Sequence, residues 1–210
     1  MTRQPTTSDA GAIIDYSKTI FASTDQLLNT LDEYTITLEN EKTWITTLNE
    51  NPNAFLLIAE SDGAIIGFVF FIPNSKVKNA HTGECGVNVH PAFQGQGIGR
   101  QLMQELLDWA KENQQIQKIV LQVFATNKHA IALYKNLGFI EEGRHIKAVK
   151  QISGEYVDVL QMFVFFEKGS PEYNSNEDNF PNEANQDGSP DGHSPVNDAK
   201  NLAADNSISY

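Results

Sequence analysis

Apolar positions along this chain alternate between helical and strand spacing, and the changes of period mark out its elements. Ile13, Ile14, Ser17 and Ile20 share one helical face, which predicts a helix from a Thr7 or Ser8 cap to about Phe21. Residues 25–37 read as a loop or broken helical segment. Trp44, Ile45 and Leu48 form the stripe of a second helix over 38–49. Residues 55–60 and 64–72 are strands joined by Ser61-Asp62-Gly63, a tight hairpin signal. A strand at 82–89 follows, then an amphipathic helix to about Asn113 with Ile98, Leu102, Met103, Leu106, Leu107 and Ala110 on one face. Residues 118–124 lack alternation, as a central strand covered on both faces would. A fourth helix spans about 127–136. Residues 139–150 and 155–165 read as long closing strands turned by Ser153-Gly154.

After residue 168 the pattern stops. The last 42 residues carry eight acidic groups against one basic, Lys200, within a net charge of −12 for the whole chain. A segment this polar buries too little apolar surface to offset its ordering entropy, so 169–210 is expected to be an acidic disordered tail behind a domain at 1–168. The acidic balance argues against general nucleic-acid or anionic-membrane partners. The polar first ten residues and the absence of a long apolar run predict no membrane segment. The single cysteine, Cys85, forms no internal disulfide and suits a cytoplasmic location.

The chemistry concentrates in residues 90–100, HPAFQGQGIGR, between the strand at 82–89 and the helix after it. A glycine turn at a helix N-terminus presents unpaired N–H groups and positive potential to an anion. The dinucleotide pattern fails in register, because its third glycine would fall at Arg100 or at Leu102, and no Gly-Lys-Ser/Thr follows. The pattern that fits is Gln94-x-x-Gly97-x-Gly99. It resembles the Gln/Arg-x-x-Gly-x-Gly/Ala signature of the GCN5-related N-acetyltransferase (GNAT) family. Residues 127–139, NKHAIALYKNLGF, resemble that family's second cofactor motif, with Tyr134 four residues before Gly138-Phe139. The resemblance covers about residues 7–166.

The resemblance implies an α/β fold: a mixed, mostly antiparallel seven-stranded sheet, splayed between strands 4 and 5 and flanked by about four helices. Its first strand must be short or frayed here, since residues 1–7 are polar. It implies acetyl-CoA as co-substrate, with the pyrophosphate held by Gln94, Gly95, Gln96, Gly97, Ile98, Gly99 and Arg100. Val87, Asn88 and Val89 are expected to give main-chain partners to the pantetheine arm in the splay, and Asn127 to contact that arm while capping its helix. Tyr134 is the expected proton donor to the leaving sulfur, Glu84 a candidate base for the acceptor amine, and a main-chain N–H near Val89 a candidate oxyanion donor. Alternation puts Glu84, Gly86, Asn88 and His90 on one face of their strand and Cys85, Val87 and Val89 on the other, without saying which face meets the acceptor. Glu142, Tyr156 and Asp158 either contact the amine or stabilise the closing hairpin. Cys85 is a buried hydrophobe rather than a nucleophile. The five histidines show no metal spacing, and no metal is expected. The acceptor is expected to be a small primary amine or amino acid. Protein N-terminal acetylation and a silent acyl-CoA sensor are the rival readings, and a homodimer is plausible through the hairpin edge.

Overall fold

The computed structural model describes residues 1–168; the segment read from sequence as an acidic tail, 169–210, lies outside them. The chain runs β1 (Thr2–Arg3), α1 (Ala10–Ser23), α2 (Leu38–Glu50), β2 (Phe55–Ser61), β3 (Ala64–Pro73), β4 (Thr82–Val89), α3 (Ile98–Glu112), β5 (Lys118–Phe124), α4 (Lys128–Asn136), β6 (Ile140–Lys150) and β7 (Tyr156–Phe165). All seven strands form one sheet, ordered β1-β2-β3-β4-β5-β7-β6. Only the β4–β5 pair is parallel; every other neighbouring pair is antiparallel.

Each layer follows from its local pattern. The β2–β3 turn places Asp62 and Gly63 at positive φ, the geometry a two-residue hairpin requires. One sheet face, with Phe68, Phe70 and Ile72 of β3, packs against Ile13, Ile20, Trp44 and Ile45 of α1 and α2. The other face, with Val69 and Phe71, packs against Leu102, Met103 and Leu106 of α3, all fully buried. Each of those three side chains contributes about 2 kcal/mol of burial.

The N-terminal boundary differs from the sequence reading. Residues Thr7–Asp9 form a 3₁₀ turn, and α1 begins only at Ala10. The cap is Thr6, in a reciprocal capping box with Asp9. Arg3 explains the shift: its guanidinium bonds Asp9 at 2.8 Å and Glu60 at 2.6 Å, tying β1, the turn and β2 together. That pairing holds the Asp9 carboxyl well below its ordinary range. The first strand is two residues long, as the polar start predicted.

No helix among the described residues is long and apolar enough to cross a membrane.

Candidate active site

β4 and β5 pair over only three rungs, Thr82↔Lys118, Gly83↔Ile119 and Glu84↔Val120, and then part. The main-chain groups left in that fork can be counted. In an antiparallel pair, alternate residues exchange both hydrogen bonds with the partner strand. His90 N donates to Ile66 O at 2.9 Å and Asn74 N donates to Thr82 O at 2.8 Å, so the even-numbered residues of β4 bond β3. On the other edge, Gln117 N donates to His81 O at 2.8 Å, which gives the odd-numbered residues to the β5 side. Cys85 stands at the root of the fork, beside the last rung, and Val87 and Val89 therefore turn their main-chain groups into it. Asn88 does not: its main chain belongs to the β3 ladder, and only its side chain is available to the site. The expectation of three consecutive main-chain partners is corrected to alternate ones by this phase.

Past β4 the chain makes a tight turn. Gly95 and Gly97 lie at φ 74° and 86°, and a Cβ built on either meets nothing within 4 Å. Their main chain therefore stands open to whatever approaches, in a conformation that side chains disfavour. Gly97 is the cap from which α3 starts, so the N–H groups of the first helical turn point outward. Gln94 braces the turn: Nε2 donates to Val89 O at 3.0 Å, occupying that one carbonyl of the fork. Arg100 stands exposed at the rim.

Fork and turn open into one cavity of about 690 Å³. Val87, Asn88 and Val89 line it from β4; Gln94, Gly95, Gly97, Ile98, Gly99 and Arg100 line it from the turn; Asn127, Ala130, Leu133 and Tyr134 line it from α4. Two segments more than 25 residues apart in sequence thus share one cavity. Gln96 does not line it, because its side chain folds back and Nε2 donates to Ala92 O at 3.3 Å. Asn127 both caps and lines: Oδ1 accepts from Ala130 N at 3.1 Å. Tyr134 is 3 % exposed, and burial pushes its phenol above the ordinary value, with Cys85 a smaller contribution.

This geometry meets a clear match. The model of the Acetyltransferase (GNAT) family matches residues 23–139. The chain belongs to the GNAT family. It is an N-acetyltransferase, as its relatives are. It is 29 % identical over 119 residues to the L-amino acid N-acetyltransferase AaaT of Escherichia coli, covering 57 % of this chain and 73 % of that protein. It is 28 % identical over 130 residues to the spermidine N(1)-acetyltransferase of Vibrio cholerae, covering 62 % and 73 %. Among solved structures, a GNAT-family acetyltransferase from Streptococcus pneumoniae superposes with a TM-score of 0.77 at 22 % identity, over 79 % of this chain and 99 % of that one. The yncA structure from Salmonella typhimurium, determined with its cofactor acetyl-CoA, superposes with a TM-score of 0.71 at 24 % identity, over 82 % and 98 %.

The residues of this acetyltransferase fit the co-substrate its family uses: an open glycine turn at a helix N-terminus suits a pyrophosphate, and alternate main-chain groups suit an amide-bearing arm. Glu84 lies elsewhere. It stands exposed at the last rung before the fork, outside the lining of the 690 Å³ cavity. Its cross-strand partner is Ile72, whose side chain belongs to the α1–α2 face, so Glu84, Gly86 and Asn88 share that face. Cys85 and Val87 belong to the α3 face, and burial raises the Cys85 thiol. Among the described residues no group of three His, Cys, Asp or Glu is arranged to hold a metal.

On the Glu84 face, beyond the fork, a second cavity of about 320 Å³ lies between the α1–α2 loop and the closing hairpin. Leu28, Phe124, Ala148, Val149 and Val159 line it, with Gln122 and His145 as its polar side chains. The α1–α2 loop borders both cavities. Gln26 and Leu27 line the first and Leu28 the second, and Thr126 Oγ1 donates to Gln26 Oε1 at 2.8 Å. Gln151 Nε2 ties the hairpin to the same loop through Asp25 O at 3.0 Å.

The hairpin carboxylates are engaged. Glu142 bonds Lys118 and accepts from Gln161 at 2.9 Å; Asp158 accepts from Lys147 N at 2.8 Å and pairs with Arg144 at 3.4 Å. Tyr156 is exposed at the hairpin end, beside Lys150.

Sequence reasoning missed three side chains. Tyr16 of α1 donates to Asn88 Oδ1 and fixes that side chain under the helix. His129 lines the first cavity from α4, with no motif to mark it. Glu41 is buried on α2; its signal was available, since 41, 44, 45 and 48 are spaced i, i+3, i+4, i+7.

Proposed function

We propose that this enzyme transfers the acetyl group of acetyl-CoA directly to the primary amine of a small molecule or amino acid, within a catalytic domain formed by residues 1–168. The observation that carries this reading is the 690 Å³ cavity lined by both sequence motifs, with a second cavity of about 320 Å³ bordered by the same α1–α2 loop. Acetyl-CoA, when bound, supplies an activated thioester. The turn at Gly95–Gly99 and Arg100 would hold its pyrophosphate, and the Val87 main chain would hold its arm in the fork. Asn88, fixed by Tyr16, lines the fork from the acceptor side. Val89 N–H is the donor to the oxygen that gains charge during attack. Glu84, which lines neither cavity, accepts the proton of the incoming amine through water, and Tyr134 gives one to the departing sulfur. Holding both reactants in one channel supplies much of the rate. The enzyme is read as cytoplasmic, and β6, the sheet edge with exposed Ile140 and Ile146, as the contact of a homodimer.

The deciding experiment is thiol release from acetyl-CoA against a panel of amines, amino acids and short peptides. Turnover with amines or free amino acids supports the reading. Turnover with peptides alone moves the acceptor to a protein N-terminus, as for the relative N-alpha-acetyltransferase RimI of Mycobacterium tuberculosis. Binding of acetyl-CoA without release from any acceptor leaves a sensor.

The turn has its own test. Gly97→Val forces a branched side chain into φ 86° and sets its methyls beside the exposed main chain. If the turn relaxes to relieve that left-handed strain of about 1–2 kcal/mol, the binding shape must be restored at the same cost, and acetyl-CoA binding should weaken roughly tenfold by calorimetry. Unchanged affinity would remove the turn from the site.

A further inference from the structure

Identity does not choose the acceptor, because this chain is about equally similar to an amino-acid enzyme and to a spermidine enzyme. The second cavity does. Aspartate and glutamate are absent from its lining. The hairpin carboxylates that might have reached it are spent on Lys118, Lys147 and Arg144. Asp158 also faces away: Val159 opposes Phe124 across β5 and β7 and joins it in one apolar cluster with Val157, so Asp158 lies on the opposite face. A cation brought into such a site would lose its hydration without gaining a partner. An apolar side chain would instead displace water from apolar walls, a favourable exchange. The volume, about 320 Å³, sits at the lower bound of small-molecule pockets and accommodates an amino-acid side chain, so the choice between acceptors rests on the lining.

We infer that the acceptor of this enzyme carries an uncharged, apolar group of amino-acid side-chain size, seated against Leu28, Phe124, Val149 and Val159, and that polyamines are poor acceptors. The inference rests on the acetyl-transfer reading above. Discrimination follows the cavity wall. Ala148 is an exposed position on the edge strand β6 that lines the cavity, so a carboxylate can be placed there without disturbing the core.

The test compares kcat/KM for leucine, methionine, isoamylamine, lysine and spermidine in the parent and in Ala148→Glu, with acetyl-CoA affinity and circular dichroism measured alongside. In the parent, leucine, methionine or isoamylamine should exceed spermidine by at least about 10-fold, within the range that a hydrophobic pocket can discriminate. In Ala148→Glu the ratio should fall at least about 10-fold, with fold and acetyl-CoA affinity unchanged. A parent that prefers spermidine or lysine, or a folded variant with an unchanged ratio, overturns the inference while leaving acetyl transfer intact. Acetyl-CoA binding with no thiol release from any of the five or from a wider amine panel overturns acetyl transfer to small amines, and this inference with it.

Discussion

Tyr134→Phe is expected to lower kcat about 100-fold while leaving acetyl-CoA affinity within about twofold. A positioned proton donor contributes about 10²–10⁴ in rate, and the lower end applies because the fork and turn still hold both reactants together. A 100-fold loss corresponds to about 2.7 kcal/mol of transition-state stabilisation. The reasoning rests on burial. Tyr134 sits on the inner face of α4, 5.8 Å between ring centroids from Phe139, in a cavity wall it shares with Val87. Burial raises its pKa, so the phenol keeps its proton throughout the physiological range and is always available to donate a hydrogen bond to the sulfur as negative charge builds on it. Phenylalanine fills the same space and removes only the hydroxyl. Single-turnover kinetics separate the two parameters. An unchanged kcat would make Tyr134 a packing residue and return the sulfur's proton to solvent.

The second large effect concerns stability and pH. Glu41 is 3 % exposed on α2, and burial pushes its carboxyl up to about 7. Its neighbourhood supplies no compensating cation. Tyr34 and, beyond it, Asp15 lie on the facing side, and the Glu41 charge helps to raise the Tyr34 phenol. Below pH about 4.5 the carboxyl is protonated in both the folded and the unfolded chain, and nothing is lost. Between about 4.5 and 7 the unfolded chain releases the proton while the folded one keeps it, so stability falls as pH rises. Above about 7 the full cost, about 3 kcal/mol, is present. Glu41→Gln removes the charge and keeps the shape. It should raise Tm by on the order of 5–10 °C at pH 8 and by almost nothing at pH 4. An equal gain at both values, or none at pH 8, would show that the carboxyl is not held neutral by burial. Because α2 flanks the acceptor side, the same variant reports whether pH acts on this wall.

The order of elements was legible along the chain because each is marked by local chemistry. Trp44, Ile45 and Leu48 set a helical period. Asp62-Gly63 takes the positive φ of a hairpin. Ile98, Leu102, Met103 and Leu106 follow a glycine turn at helical spacing. Both halves of the cofactor cavity were visible for the same reason, since residues 94–100 and 127–134 are each continuous segments. Glu41 shares the helical spacing of the α2 stripe, but a carboxyl by itself carries no sequence signal of burial.

What sequence alone determined, then, was the family, the glycine turn before α3, the tyrosine on α4 and the strand alternation that separates Glu84 from Cys85. Tertiary structure decided the rest. Which β4 groups enter the fork depends on the phase of its bonds to β3, fixed by Ile66 and His90. Which face α1 and α2 cover depends on their packing over Phe68 and Phe70 rather than over Val69 and Phe71. The second cavity draws on Leu28, Phe124, Ala148 and Val159 at once, and the β6 strand beside it carries register shifts at Glu141–Gly143 and His145–Val149. A local pattern records the period and caps of one segment. A cavity is made by the relative placement of several, and that placement is set by long-range packing to which no single stretch of sequence corresponds.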